Sequence, residues 1–263
     1  MQPLSRCPAA ALRGLAGVLT DIDDTLTADG AIAPEALAAL QALRAAGLPV
    51  IAITGRPAGW SEPFALAWPV AAIVAENGAV MLRNDGGRLR RDFTQDEATR
   101  RANFARLQTC AAAVLARVPG ATLARDSAGR LTDIAVDHAE HAHLDAAQID
   151  AVCAVMREHG LSATVSSIHV NGWIGAHSKW SAAQWAVPEL LGRPFAPQDW
   201  VYVGDSSNDQ LMFERMPLSV GVANIARFLD RLQHRPAYVT PSERGRGFAE
   251  LADALLAARA GAA

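Results

Sequence analysis

The stretch "LPVIAITG", residues 48–55, carries no polar side chain from Leu48 to Ile53. A strand with one face in water alternates apolar and polar residues, so an unbroken apolar run marks a strand covered on both faces. The pattern returns in "GVLTD" (17–21), "AAIVAENG" (71–78) and "DWVYVGD" (199–205). Helix-like segments separate these runs. "APEALAALQALRAAG" has Pro34 at an early helical position and Gly47 as its stop. A helix is expected from about Asn208, opened by Ser207 or Asn208, followed by "PLSVGVAN", "AYVT" and a terminal helix "GFAELADALLAARA". Strands and helices in alternation predict an α/β chain: a Rossmann-like parallel sheet core with helices on both faces.

The middle of the chain breaks this rhythm. Between about Asn84 and Asn171 come a helix over roughly 94–117, a strand "LTDIAVD", a helix over 143–158 and the extended stretch "SATVSSIHV". Gly86-Gly87 and Asn171-Gly172 punctuate its ends. The reading is a core of residues 1–84 and 173–263 with an inserted α+β cap domain at 85–172.

Composition narrows the partners. A formal charge of −3 over 263 residues offers no basic face for nucleic acid or an anionic membrane. The longest apolar run, "PFALAWPVAAIVA", is interrupted by Pro69 and too short to span a bilayer. Arg13 sits inside the only N-terminal apolar segment, so a signal peptide is not expected. Cys7, Cys110 and Cys153 lack metal-knuckle spacing and read as incidental thiols in a reducing compartment, the cytoplasm. His141 and His143, and the "RLRR" of 88–91, read as solvated features.

The chemistry-bearing residues gather at the ends of the apolar runs, where open α/β sheets bind ligands. Asp21 ends the first run, and Asp23 lies two residues on, on the same side of an extended chain. Two carboxylates at one mouth repel unless one is protonated or a cation sits between them, and Mg²⁺ suits oxygen ligands. A calcium loop is excluded, because Thr25, Leu26 and Ile32 stand where it needs a ligand, a glycine and a glutamate. Thr54 and Gly55 end the second run with a hydroxyl and free amides that suit an anion. Asp205 ends another, with Asp209 four residues later, either holding a metal-bound water or anchoring an ammonium. Lys179 is the single lysine among 24 basic residues, which marks a position where a compact ammonium is needed and a planar guanidinium is not a substitute.

"DIDDTLT", "TGR", Lys179 and "GDSSND" resemble, in this order, the four motifs of the haloacid dehalogenase superfamily. "ENGA" (76–79), the insert, and "GVAN" (221–224) are similar to its Cof-type members of subfamily IIB with a large α/β cap. One departure is that relatives often continue the lysine as Lys-Gly-x-Ala, where this chain has "KWSAA".

The resemblance implies a phosphatase. Asp21 would be the nucleophile that forms an aspartyl-phosphate, and Asp23 the acid/base, supported by Thr25. Asp21, the Asp23 main-chain carbonyl and Asp205 would hold Mg²⁺. Thr54, Gly55 and Lys179 would gather the phosphoryl oxygens, with Asn208 and Asp209 in support and Asp24 without a chemical role. His169, Asn171 and Trp173, where the cap returns to the core, would contact the leaving group of a small phosphorylated metabolite, a sugar phosphate or glycosyl phosphoglycerate. A sugar phosphomutase would share every core motif. A phosphoaspartate receiver would place its acid on a later strand, a scaffold descended from an enzyme would have lost a motif residue, and an ion-pumping ATPase would need membrane spans.

Overall fold

The computed structural model describes residues 1–261. Nine strands form one sheet in the spatial order 2–3, 238–239, 218–221, 200–204, 17–20, 50–53, 72–75, 80–85 and 88–93. The pairings are parallel as far as Ala72–Ala75, and the last two strands close the edge as antiparallel arms. Successive residues of the apolar runs enter different cores, as a two-faced strand requires. Val18, Val50, Ala52 and Val201 pack with the helices Pro34–Ala45 and Arg244–Ala260. Leu19, Ile51, Ile53 and Tyr202 pack with the helices Lys179–Leu191 and Gln210–Arg215. The expected α/β architecture is present.

A four-stranded antiparallel sheet stands apart, in the order 162–165, 169–173, 133–137 and 122–123. One face packs on the helices Glu97–Arg117 and Ala146–Glu158 through Ile134, Val136 and Val170. Gly172 belongs to that face, because a Cβ there would lie 2.7 Å from Met156 Sδ. The other face of the 169–173 strand carries His169, Asn171 and Trp173, all buried.

The cap helices begin later than their apolar pattern suggests, because Asp96 and Asp145 cap them through the Thr99 and Gln148 amides. "SATVSSIHV" is two paired strands, Ser162–Val165 and His169–Trp173, rather than one extended stretch. The arm Arg88–Phe93 pairs with Val80–Asp85 in the large sheet, so the chain leaves that sheet after Phe93 and not at residue 85. Gln2–Pro3 extends the opposite edge beside Tyr238–Val239, and a small hairpin, Thr27–Ala28 with Ala31–Ile32, turns through Asp29-Gly30 at φ 51° and 78°. All three cysteines are free. Among the described residues no helix is long and apolar enough to cross a membrane.

Candidate active site

The strands Gly17–Thr20, Val50–Ile53 and Trp200–Gly204 are neighbours in the sheet, so their carboxyl ends deliver Asp21, Thr54 and Asp205 to one edge. The Asp21 amide continues the ladder to the Val203 carbonyl at 2.9 Å. Lys179, the first residue of its helix, reaches this edge and is 3% exposed. Its Nζ donates to Asp21 Oδ1 at 2.6 Å, Asp209 Oδ1 at 2.6 Å and Asn208 Oδ1 at 3.3 Å, using all three donors of an ammonium. Trp180 packs edge-on to Phe195, 5.5 Å between centroids, and the "KWSAA" departure leaves the lysine in place.

Asp209 resolves its two expected roles in favour of the anchor. Oδ1 accepts from Lys179 and the Tyr202 hydroxyl, and Oδ2 accepts from the Asp205 and Ser206 amides at 2.9 and 3.1 Å. A carboxylate has about four acceptor positions, and all are taken. A Cβ on Gly204 would meet Asp209 Oδ2 at 2.4 Å, which is why the strand ends in glycine. Ser206, not Ser207 or Asn208, caps the following turn, and the α-helix proper starts at Gln210.

Asp205 is different. Its Oδ2 accepts from Asn224 Nδ2 at 3.0 Å, but Oδ1 is buried without a partner. The same Asn224 bonds the Asp24 carbonyl and, through its own oxygen, the Arg244 amide. Burial first, and then the neighbouring Asp21 and Asp209, pushes the Asp205 carboxyl well above its ordinary value. Burial likewise pushes Asp21 up to about 7, against the pull of Lys179. Burial alone would lower Lys179, but Asp209 and Asp21 outweigh it and hold the ammonium charged. One cation thus faces three buried carboxylates whose oxygens come within 4.8 Å of one another. An orphaned carboxylate oxygen in a buried, electron-rich oxygen cluster fits a hard divalent cation.

The Asp23 carboxylate is not part of that cluster. It accepts from Arg56 Nε at 2.9 Å, so any share in holding a cation falls to its main chain. Thr25, expected to support Asp23, has a buried hydroxyl without a partner; Arg56 does the holding instead. Arg56 also reaches Asp126 at 3.2 Å and Glu140 at 2.8 Å on the inserted segment. Its main-chain amide donates to Thr54 Oγ1 at 3.0 Å, which leaves the Thr54 hydroxyl proton free to donate elsewhere. The Gly55 carbonyl accepts from Arg130 at 2.9 Å and Asn171 at 3.1 Å.

The three cap candidates therefore separate. Asn171 braces the Gly55 turn and His169 holds Glu140 at 3.0 Å. Trp173 donates to the His177 carbonyl at 3.0 Å and lines a cavity of about 480 Å³ with Lys179, Asn77 and Asn208. Sequence reasoning did not find Tyr202, Arg130 or Glu140. The tyrosine reads as one more apolar strand residue, and the partners of Arg56 lie 70 and 84 residues away with no spacing to announce them. Asp24 has φ 54° and pairs with Arg244 at 2.9 Å, outside the acidic cluster.

A family model for haloacid dehalogenase-like hydrolases matches residues 18–164, more than half of the chain. No curated protein sequence matches it. Among solved structures, the fold is similar to that of Thermoplasma acidophilum 0175, at 19% identity and TM-score 0.70, covering 92% of this chain and 98% of that one. The sucrose-phosphatase of Synechocystis, solved with sucrose and phosphate, matches at 18% identity and TM-score 0.65 over 92% and 98%. A sugar phosphatase of haloacid dehalogenase subclass IIB, BT4131, matches at 13% identity and TM-score 0.59 over 86% and 93%. At these identities the solved structures share a fold with the chain.

Proposed function

The chain belongs to the haloacid dehalogenase-like hydrolase family, and from that premise we propose that it is a Mg²⁺-dependent phosphomonoester hydrolase acting on a small phosphorylated carbohydrate. The observation that carries the reading is the Lys179–Asp21 contact of 2.6 Å beside the unpartnered Asp205 oxygen. It sets a nucleophile, a charge-neutralising ammonium and a vacant hard-oxygen donor at one sheet edge. The carbohydrate assignment is supported by the sugar and sucrose phosphatases among the structural neighbours. Residues from about 94 to 172 would form the cap over this edge, a revision of the boundary expected at 85.

In this reading a carboxylate oxygen of Asp21 attacks phosphorus, and the bond to the leaving oxygen breaks as Asp23 delivers a proton to it. Asp23 then takes a proton from water as that water attacks the same phosphorus, releasing phosphate and restoring Asp21. Mg²⁺, held by Asp21, Asp205 and the Asp23 main chain, would supply neutralisation of the carboxylate and phosphoryl charge. The Thr54 hydroxyl, the Gly55 amide and Lys179 stabilise the equatorial oxygens. Asp23 lines a second cavity of about 400 Å³ with Asp29, Arg56, Glu140 and Arg244, where a polyhydroxylated leaving group has polar partners.

The test is phosphate release over a panel of phosphorylated metabolites, with Mg²⁺ and with excess chelator. We expect release from sugar phosphates, lost with chelator and restored by Mg²⁺ but poorly by Ca²⁺, whose looser coordination misplaces the nucleophile. Full turnover in chelator refutes the metal assignment, and isomer formation without phosphate makes the chain a mutase.

A further inference from the structure

The turn Glu76–Gly78 is conformationally expensive. Glu76 and Asn77 lie side by side in the left-handed region, at φ 50° and 55°. A residue with a Cβ rarely adopts it, and such strain collects where a site needs it. The part played by Glu76 is visible in its partners. Its buried carboxylate accepts from the Ala58 and Leu131 amides and from the amide and hydroxyl of Thr132, tying the inserted segment to the large sheet. Asn77 has no such explanation. It is 2% exposed, and its Nδ2 has no partner. A buried amide donor left unpaired is unfavourable unless something absent from the chain itself accepts from it.

Its position points to what that is. The Asn77 main-chain amide donates to the Thr54 carbonyl at 2.9 Å. A Cβ on Gly55 would come within 3.3 Å of Asn77 Oδ1, so the side-chain amide lies against the Thr54-Gly55 turn. On the other side, a Cβ on Gly78 would come within 2.6 Å of the carbonyl of Ser178, the residue that caps the Lys179 helix. Asn77 thus lies against the turn, its neighbour Gly78 abuts the start of the Lys179 helix, and Asn77 lines the same cavity as Lys179 and Asn208.

We propose that the Asn77 side-chain amide is a further hydrogen-bond donor to the phosphoryl group held by Thr54, Gly55 and Lys179. The proposal rests on the reading of those three as the phosphoryl cradle. A neutral amide adds a donor without adding to the crowded charge of the site. The consecutive left-handed residues fix its place beside the Thr54-Gly55 turn, and the Glu76 bonds hold that strained turn in place.

The test uses Asn77→Gly and Asn77→Asp in the full chain with Mg²⁺. Glycine adopts φ near 55° without strain, so the first variant loses the amide and keeps the turn. Aspartate keeps the shape and tolerates this conformation, but presents a carboxylate to the phosphoryl oxygens. The readouts are calorimetric binding of inorganic phosphate, its inhibition of aryl phosphate hydrolysis, and thermal melting. We expect phosphate affinity about tenfold weaker in Asn77→Gly, the effect of losing one hydrogen bond to a charged group, and weaker still in Asn77→Asp. Melting of the glycine variant is unchanged or raised. Wild-type phosphate affinity in both variants, with or without altered melting, overturns the proposal. A wild-type chain that neither binds phosphate nor hydrolyses the aryl phosphate overturns the cradle itself, which separates that failure from the failure of Asn77 alone.

Discussion

Two largely buried charge networks meet at the carboxyl edge of the large sheet, and they differ in the kind of atom left unpartnered. Along the seam between the two sheets, Arg56 joins Asp23, Asp126 and Glu140, while Arg130 bonds both oxygens of Asp133 and one of Asp126. His169 and Asn171 occupy further acceptors on Glu140 and Asp133. In the acidic pocket one lysine serves Asp21 and Asp209, and Asp205 keeps a buried oxygen unpartnered. The seam leaves one buried donor, Arg130 Nε, unpartnered, whereas the pocket leaves an acceptor unpartnered, and an orphaned acceptor among buried carboxylates in low dielectric favours a cation that completes it. The seam joins the two sheets and walls the second cavity, and the acidic pocket is where a cation belongs.

The sharpest way to break this contrast is Asp21→Asn. An amide is a poor nucleophile, so we expect steady-state turnover to fall about 10,000-fold or more while far-UV circular dichroism shows the fold intact. An active, folded variant would mean the pocket is joinery too. Lys179→Arg comes next. Charge is kept, but a broader guanidinium must enter a site where three acceptors crowd one ammonium, and a displacement of about 1 Å costs on the order of a hundredfold in rate. Because Lys179 is 3% exposed, overpacking there also lowers stability, by about 1–3 kcal/mol in thermal or urea unfolding.

Glu140→Gln probes the seam. It removes a charge from Arg56 without touching the pocket, so we expect a stability loss of about 1–2 kcal/mol and a smaller fall in turnover than for either pocket variant. The His169 hydrogen bond, followed by those from Arg56, holds Glu140 down at about 2, against its burial. A depressed carboxyl contributes its stability above the unfolded value and loses it as pH falls through the folded one. The gap in melting temperature between wild type and variant should therefore close as pH drops from 4.5 towards 2. A gap independent of pH would detach Glu140 from the seam. Asp24→Asn is the smallest change. Its Arg244 pair is partly solvated, and asparagine accepts φ 54°, so we expect under about 1 kcal/mol in melting and wild-type turnover. A large loss of turnover would pull Asp24 into the pocket.

How much of this was legible follows from the range of the interactions. The sheet-edge residues Asp21, Thr54, Lys179 and Asp205 were readable, because each marks an apolar strand end or stands alone in composition. Their supports were not. The resemblance implied Thr25 as the support of Asp23, yet the partner of Asp23 is Arg56, 33 residues on. Asn171 was expected to contact the leaving group, and its hydrogen bond to the Gly55 carbonyl, 116 residues earlier, was not legible. Where the chain leaves the large sheet was hidden for a related reason: Gly86-Gly87 is a hairpin turn within that sheet, and a glycine pair punctuates a hairpin as readily as a linker.

By itself the sequence determined the α/β architecture, since uninterrupted apolar runs separated by amphipathic helices can be buried only between helical layers. It also determined which groups stand at the ends of the apolar runs, because side-chain period acts locally. Only the tertiary structure decided which of those groups are spent. The saturation of Asp209, the orphaned Asp205 oxygen, the diversion of Asp23 to Arg56 and the strained Asn77 amide arise from contacts between distant segments. Whether a buried polar atom has a partner depends on geometry in three dimensions, and no spacing along a chain encodes it.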